Sequence, residues 1–132
     1  MKKYVLSIAA AFAVISAPAA AQAIEGRWAN PKRSVIVELD RCGASYCGTV
    51  VHASAKAKAT ARKGGTRNLI GTQILSGVRA DGNRTYKGRA FDPKRNIRAP
   101  ATIRLIGPDT LEVRGCAIAG LMCKSQRWTR VS

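Results

Sequence analysis

The sequence predicts an all-β fold, a single small antiparallel meander closed or nearly closed into a barrel of about eight strands, with one long basic loop. Apolar and polar residues alternate with a period of two through most of the chain, the pattern of strands buried on one face. The segments between these runs are short and rich in turn-forming residues, so neighbours in sequence become antiparallel neighbours in space. No segment sustains a helical period, and 132 residues are too few for two cores. Closure is expected because an open meander leaves two strand edges unpaired.

The first strand is short, over residues 26–30. The second sets Val35, Val37 and Leu39 on one face against Ser34, Ile36, Glu38 and Asp40 on the other. Further strands are expected over residues 46–53, 74–79, 84–91, 101–106, 110–114 and 125–131. Asp81-Gly82-Asn83, Asp92-Pro93 and Gly107-Pro108-Asp109 supply backbone angles suited to the turns between them. Residues 68–75 have room for one helical turn ahead of their strand. Residues 54–67 form the long loop, in which Lys56, Lys58, Arg62, Lys63 and Arg67 interleave with alanine and small polar residues, contain no acid and end near Gly64-Gly65. Loops of this length are either functional or solvated and mobile.

Lys2 and Lys3, an apolar run over residues 5–15 and the small-residue triplet Ala21-Gln22-Ala23 have the pattern of a cleaved signal peptide over residues 1–23. The apolar run is about half the roughly 20 residues that span a bilayer, which argues against an anchor. The mature domain is then residues 24–132, periplasmic or secreted, without a transmembrane segment. Losing Lys2 and Lys3 lowers the formal charge from +16 to +14. Four cysteines in an exported chain point to disulfides. Of three connectivities, Cys42 with Cys47 and Cys116 with Cys123 require the least chain closure. With one histidine, His52, and no Cys-x2-Cys spacing, neither a zinc site nor a thioredoxin-like centre is expected.

Gly26-Arg27-Trp28 near the start, with Arg127, Trp128 and Arg130 near the end, resembles the small barrels of the lipocalin and fatty-acid-binding type. There, a Gly-x-Trp in the first strand is covered by a basic side chain of the last. The resemblance implies a barrel closure built from Gly26, Trp28, Arg127 and Arg130, with a guanidinium over an indole worth about 0.5–2 kcal/mol. A more extensive resemblance is to a bacterial exported family known as domain of unknown function 2147. Its motifs appear in order as Gly26 and Trp28, Cys42-Gly43-Ala44-Ser45-Tyr46-Cys47-Gly48, Gly71-Thr72-Gln73-Ile74-Leu75-Ser76-Gly77 and Gly88-Arg89-Ala90-Phe91-Asp92-Pro93. Leu111-Glu112-Val113-Arg114-Gly115-Cys116 and Ser125-Gln126-Arg127-Trp128-Thr129-Arg130 complete the series. The chain departs from the pattern at Phe91, where tyrosine is common, and in the wholly basic character of residues 54–67. This family implies a fold and an envelope location but no activity.

The sequence lacks His-Glu-x-x-His, Gly-x-Ser-x-Gly and a phosphate-cradling glycine loop. His52 falls on the Tyr46, Gly48, Val50 face of its strand, with no acid or nucleophile beside it in sequence. Asp92, ahead of Pro93, suits a turn better than catalysis. The expectation is therefore a non-enzymatic protein with no cofactor or metal, binding a small apolar or amphipathic ligand inside the barrel. The alternative is a basic surface protein that holds anionic envelope components, lipid head groups or polysaccharide, through Lys56, Lys58, Arg62, Lys63 and Arg67. Nucleic acid is disfavoured as a partner by export and by the scarcity of aromatic residues among the basic ones.

Overall fold

The computed structural model describes residues 10–11, 24–117 and 122–132. The expected signal peptide lies outside these residues apart from Ala10 and Ala11. Within them, eight strands form one closed barrel: β1 (Gly26–Ala29), β2 (Val35–Cys42), β3 (Ser45–Ala53), β4 (Gln73–Ala80), β5 (Thr85–Asp92), β6 (Ile97–Gly107), β7 (Thr110–Ala117) and β8 (Met122–Arg130). Each strand pairs antiparallel with its neighbour in sequence, and β1 closes on β8 through Trp28 opposite Arg130 and Ala29 opposite Thr129. The eight strands therefore form a continuous ring, with the β1–β8 seam confined to the end of β8.

The alternation read from β2 holds in space, with Val37 and Leu39 buried and Glu38 and Asp40 turned outward. In β3 it breaks. Ile36 pairs with His52 but Val37 pairs with Val50, so Val51 is an extra residue that shifts the register. The bulge reverses the facing of the next side chains: Val50 and Ala53 are buried and His52 is exposed, off the inward face that simple alternation gave it. β6 begins four residues ahead of its expected start, because the polar stretch around Arg98 hides an extended run whose Ala99 and Ala101 face inward. No helix forms over residues 68–75; Thr72 closes a turn by donating its N–H to the Leu69 carbonyl, and β4 follows at Gln73.

The expected long loop is the main correction. Residues Ala55–Lys63 form a helix, α1. Ser54 caps it by accepting a hydrogen bond from the Ala57 N–H at 3.1 Å, and Arg62 and Lys63 occupy the last turn, where the helix dipole favours cations. Alanine at alternate positions is the strongest helix former, so local propensity and capping supplied a helix that hydrophobic periodicity did not register. Only two alanines face inward. Ala57 and Ala61, one turn apart, lie against Val50, Ala53 and Leu69.

The larger core lies towards the other end of the barrel, where Trp28, Leu39, Tyr86, Ile103 and Leu111 are almost fully buried. The β2–β3, β4–β5 and β6–β7 turns lie at that end, and α1 with the β1–β2 and β5–β6 turns at the opposite one. The cysteines pair as Cys42–Cys47, fastening the β2–β3 hairpin, and Cys116–Cys123, joining directly opposed residues of β7 and β8. Among the described residues, no helix is long and apolar enough to cross a membrane.

Candidate functional site

One end of the barrel is sealed. Trp28 lies buried with its indole N–H donating to the Ile24 carbonyl at 2.9 Å. The Arg130 guanidinium sits 4.3 Å from the Trp28 ring centroid and donates to the Glu25 carbonyl at 2.6 Å and the Pro108 carbonyl at 3.2 Å. It also reaches the Asp109 carboxylate at 3.4 Å. Gly26, at φ +129, is required here twice over, since a Cβ would meet Arg130 Nη1 at 2.7 Å and the Ser132 carbonyl oxygen at 2.8 Å. Of the four residues expected at the closure, Gly26, Trp28 and Arg130 come together. Arg127 does not: Gln126, Trp128 and Arg130 alternate inward along β8, so Arg127 points out, opposite Glu112.

Among the described residues, the other end is open. Beneath α1 lies a cavity of about 410 Å³, floored by Val37, Val50, Ile74 and Trp128 and roofed by Ala57 and Thr60. A second cavity of about 400 Å³ adjoins it under the β5–β6 turn, against Leu75, Ala90, Ala99 and Val113. Ile74, Asp92, Pro93, Lys94, Gln126 and Trp128 border both, so the two are lobes of one apolar space divided by a shared partition. Each falls within the roughly 300–1,000 Å³ typical of small-molecule sites. The packed half of the barrel ends where these lobes begin, since Trp128 also belongs to the core.

The roof is held in place by specific contacts. The Ser54 N–H donates to the Ser34 carbonyl at 2.8 Å, tying the start of α1 to the β1–β2 turn. At the other end of α1, Gly64 approaches the β5–β6 turn so closely that a Cβ would lie 2.6 Å from the Pro93 carbonyl oxygen. Thr66 Oγ1 donates to that same carbonyl at 3.2 Å. The Gly64 that reads as a loop residue in the sequence thus permits the helix to dock.

The polar groups at the mouth are mainly donors. Lys32 and Lys56 line the first lobe, Arg95 and Lys124 the second, and Lys94 both. Asp92 is the one carboxylate bordering either lobe, and its two oxygens are engaged within its own turn, accepting from the Lys94 N–H at 3.0 Å and from Arg95 Nη1 at 2.9 Å. Gln126 Oε1 accepts from the Trp128 indole at 3.0 Å, and because an indole only donates, this fixes the amide with its NH₂ as the remaining group. Sequence reading missed Lys32, Lys94, Lys124 and Gln126; only the fold brings these separated residues to one opening.

The five basic residues read as an anion site do not form a single cluster. Helical geometry puts Lys56 and Lys63 on one flank of α1 and Lys58 and Arg62 on the other, and Arg67 lies beyond its end. Lys56 alone of them borders the cavity. Among the described residues, no group of three His, Cys, Asp or Glu stands close enough to hold a metal. Burial, and then the neighbouring Tyr46, raise the Tyr86 hydroxyl pKa above its ordinary value.

Residues 26–130 match the family model described as "uncharacterized protein conserved in bacteria (DUF2147)". Among solved structures, protein HP1028 of Helicobacter pylori, described as belonging to the lipocalin family, is similar over 83% of each chain, with a TM-score of 0.63 and 17% identity. At that identity the likeness concerns the fold. No curated protein gives a significant match.

Proposed function

The chain belongs to the bacterial family DUF2147, and on that basis and its open barrel end we propose that it is an exported, non-enzymatic protein that holds a small apolar or amphipathic molecule. The observation that carries this function is the two-lobed apolar space under α1, bounded by side chains of β2 to β8 and left unfilled by the core. A lipocalin-like barrel suits such a role because its interior can hold one small ligand. Export is supported by the two disulfides and by the sequence of residues 1–23. Cleavage after Ala23 would leave Ile24 as the first residue, and Ile24 packs in the core with its carbonyl bonded to Trp28.

Native mass spectrometry of the protein recovered from a bacterial periplasm tests this directly. The expected spectrum shows a chain beginning at Ile24, four hydrogens lighter than its reduced form, with an additional mass that denaturation removes. A protein that carries no ligand and takes up none of a panel of added alkyl alcohols and fatty acids would overturn interior binding.

Adhesion to anionic envelope components is the second function, and its support lies on the barrel wall rather than on α1. Cross-strand pairing sets Arg79, Lys87, Thr102, Arg114 and Ser125 in one row from β4 to β8, with Arg89 and Arg104 in adjoining rows. Lys87 pairs with Asp81 and Arg104 with Glu112, while Arg79, Arg89 and Arg114 have no acidic partner among the described residues.

A further inference from the structure

We propose that the interior ligand is an anionic amphiphile, whose acidic head is held by Lys32, Lys56 and Lys94 at the mouth while its hydrocarbon part fills the lobes. This rests on the interior-binding function above and specifies its ligand class. Three elements distant in sequence deliver these lysines to the opening: the β1–β2 turn, α1 and the β5–β6 turn. All seven acids of the chain lie among the described residues, and Asp92 is the one that borders the cavity. Its oxygens are turned to Lys94 N–H and Arg95, so no carboxylate is paired with any of the three lysines. Gln126 adds a donor at the partition, since its carbonyl is spent on Trp128.

A mouth with surplus donors above an apolar floor discriminates by charge. A neutral alcohol of the same chain length gains the burial but leaves three ammonium groups without a counter-charge. An acid gains both, and the partly enclosed opening strengthens the attraction relative to bulk water. Carboxylate and phosphate heads share the required chemistry, a compact anion rich in acceptor oxygens. Lysine, with a single mobile charge on a long stem, serves either, without the bidentate geometry an arginine would impose.

Trp128 borders both lobes whereas Trp28 lies in the sealed end, so tryptophan emission reports occupancy of the cavity. Delipidated full-length mature protein is titrated with oleate, oleoyl lysophosphatidate and oleyl alcohol at monomeric concentrations. The expected result is that at least one anion binds tenfold or more tightly than the alcohol; the tighter of the two identifies a free fatty acid or a phospholipid-derived head as the source. In the triple variant Lys32→Gln, Lys56→Gln, Lys94→Gln, that preference is expected to shrink to threefold or less with alcohol affinity unchanged, and an unchanged melting temperature shows that the barrel is intact. Equal binding of all three probes by the wild type would overturn the acidic-head assignment while leaving interior binding in place. A preference that survives in the variant would overturn the role of the lysines. Absence of binding by every probe would remove the interior-binding function itself.

Discussion

Arg130 combines a cation–π contact, two hydrogen bonds to carbonyls of separate segments and an ion pair, all within one side chain. Arg130→Ala is expected to lower stability by about 2–4 kcal/mol, because it removes charge-assisted hydrogen bonds and uncovers the Trp28 ring. Arg130→Lys should recover less than half of that loss in urea unfolding, since an ammonium lacks the planar fork that spans Glu25 and Pro108. Gly64 provides the complementary case of a residue whose lack of a side chain matters. Gly64→Val places carbon against the Pro93 and Lys94 backbone, and a loss of about 1–3 kcal/mol is expected. Tyr86 sets a pH limit. Its hydroxyl pKa is raised in the folded state, so its contribution is intact below the ordinary value of 10.0 and is lost as pH rises through that value towards the folded one. Urea midpoints should therefore fall more between about pH 9 and pH 11 in the wild type than in Tyr86→Phe; equal falls would show that Tyr86 is not the group responsible.

Elements were legible to the extent that one physical signal dominated them. β2, β5 and β7 announce themselves through alternation, and the turns beside β5 and β7 through Asp-Gly, Asp-Pro and Gly-Pro steps. α1 was obscured because its buried face consists of only Ala57 and Ala61, too small to mark a hydrophobic stripe, although Ser54 and the alanines carried the helical signal. Ser54→Ala tests the cap and is expected to cost about 1 kcal/mol of helix stability. Amide exchange should accelerate in α1 more than in β3; uniform acceleration would mean that the helix and the sheet open together. The Val51 bulge left no comparable trace in sequence, which is why His52 reads as sharing a face with Tyr46, Gly48 and Val50 and instead stands exposed. Both disulfides close short loops of sequence separation 5 and 7, so converting either pair to serine should reduce stability by only about 2 kcal/mol.

Across the whole molecule, charge and shape divide the labour. Cations predominate on the wall and around the mouth, while the interior remains apolar with no buried charged residue among those described. The proposed attraction of the wall to anionic vesicles would be electrostatic, and would weaken as the Debye length shrinks from about 10 Å at 0.1 M salt to about 3 Å at 1 M. Vesicle sedimentation should show binding lost over that range, and Arg79→Ser, Arg89→Ser, Arg114→Ser should reduce it more than Lys58→Ser, Arg62→Ser. The reverse order would return the adhesive role to α1. Retention of an interior ligand should be far less sensitive to the wall substitutions, since those side chains point away from the lobes.

The sequence alone determined that this chain is an antiparallel β meander of about eight strands, closed or nearly closed, because strand alternation and turn chemistry are local properties that each segment carries independently; that β1 in fact meets β8 is a tertiary outcome. The chain's ordered motifs also placed it in the family that residues 26–130 match. Tertiary structure decided where the barrel is filled and where it is open, since that depends on which side chains from eight strands meet at the same height. It also decided which cations share the opening: Lys32, Lys56 and Lys94 are separated by tens of residues and become neighbours of one cavity only when the barrel closes and α1 docks across it. A cavity belongs to no single segment, and so leaves no periodic signal in any of them.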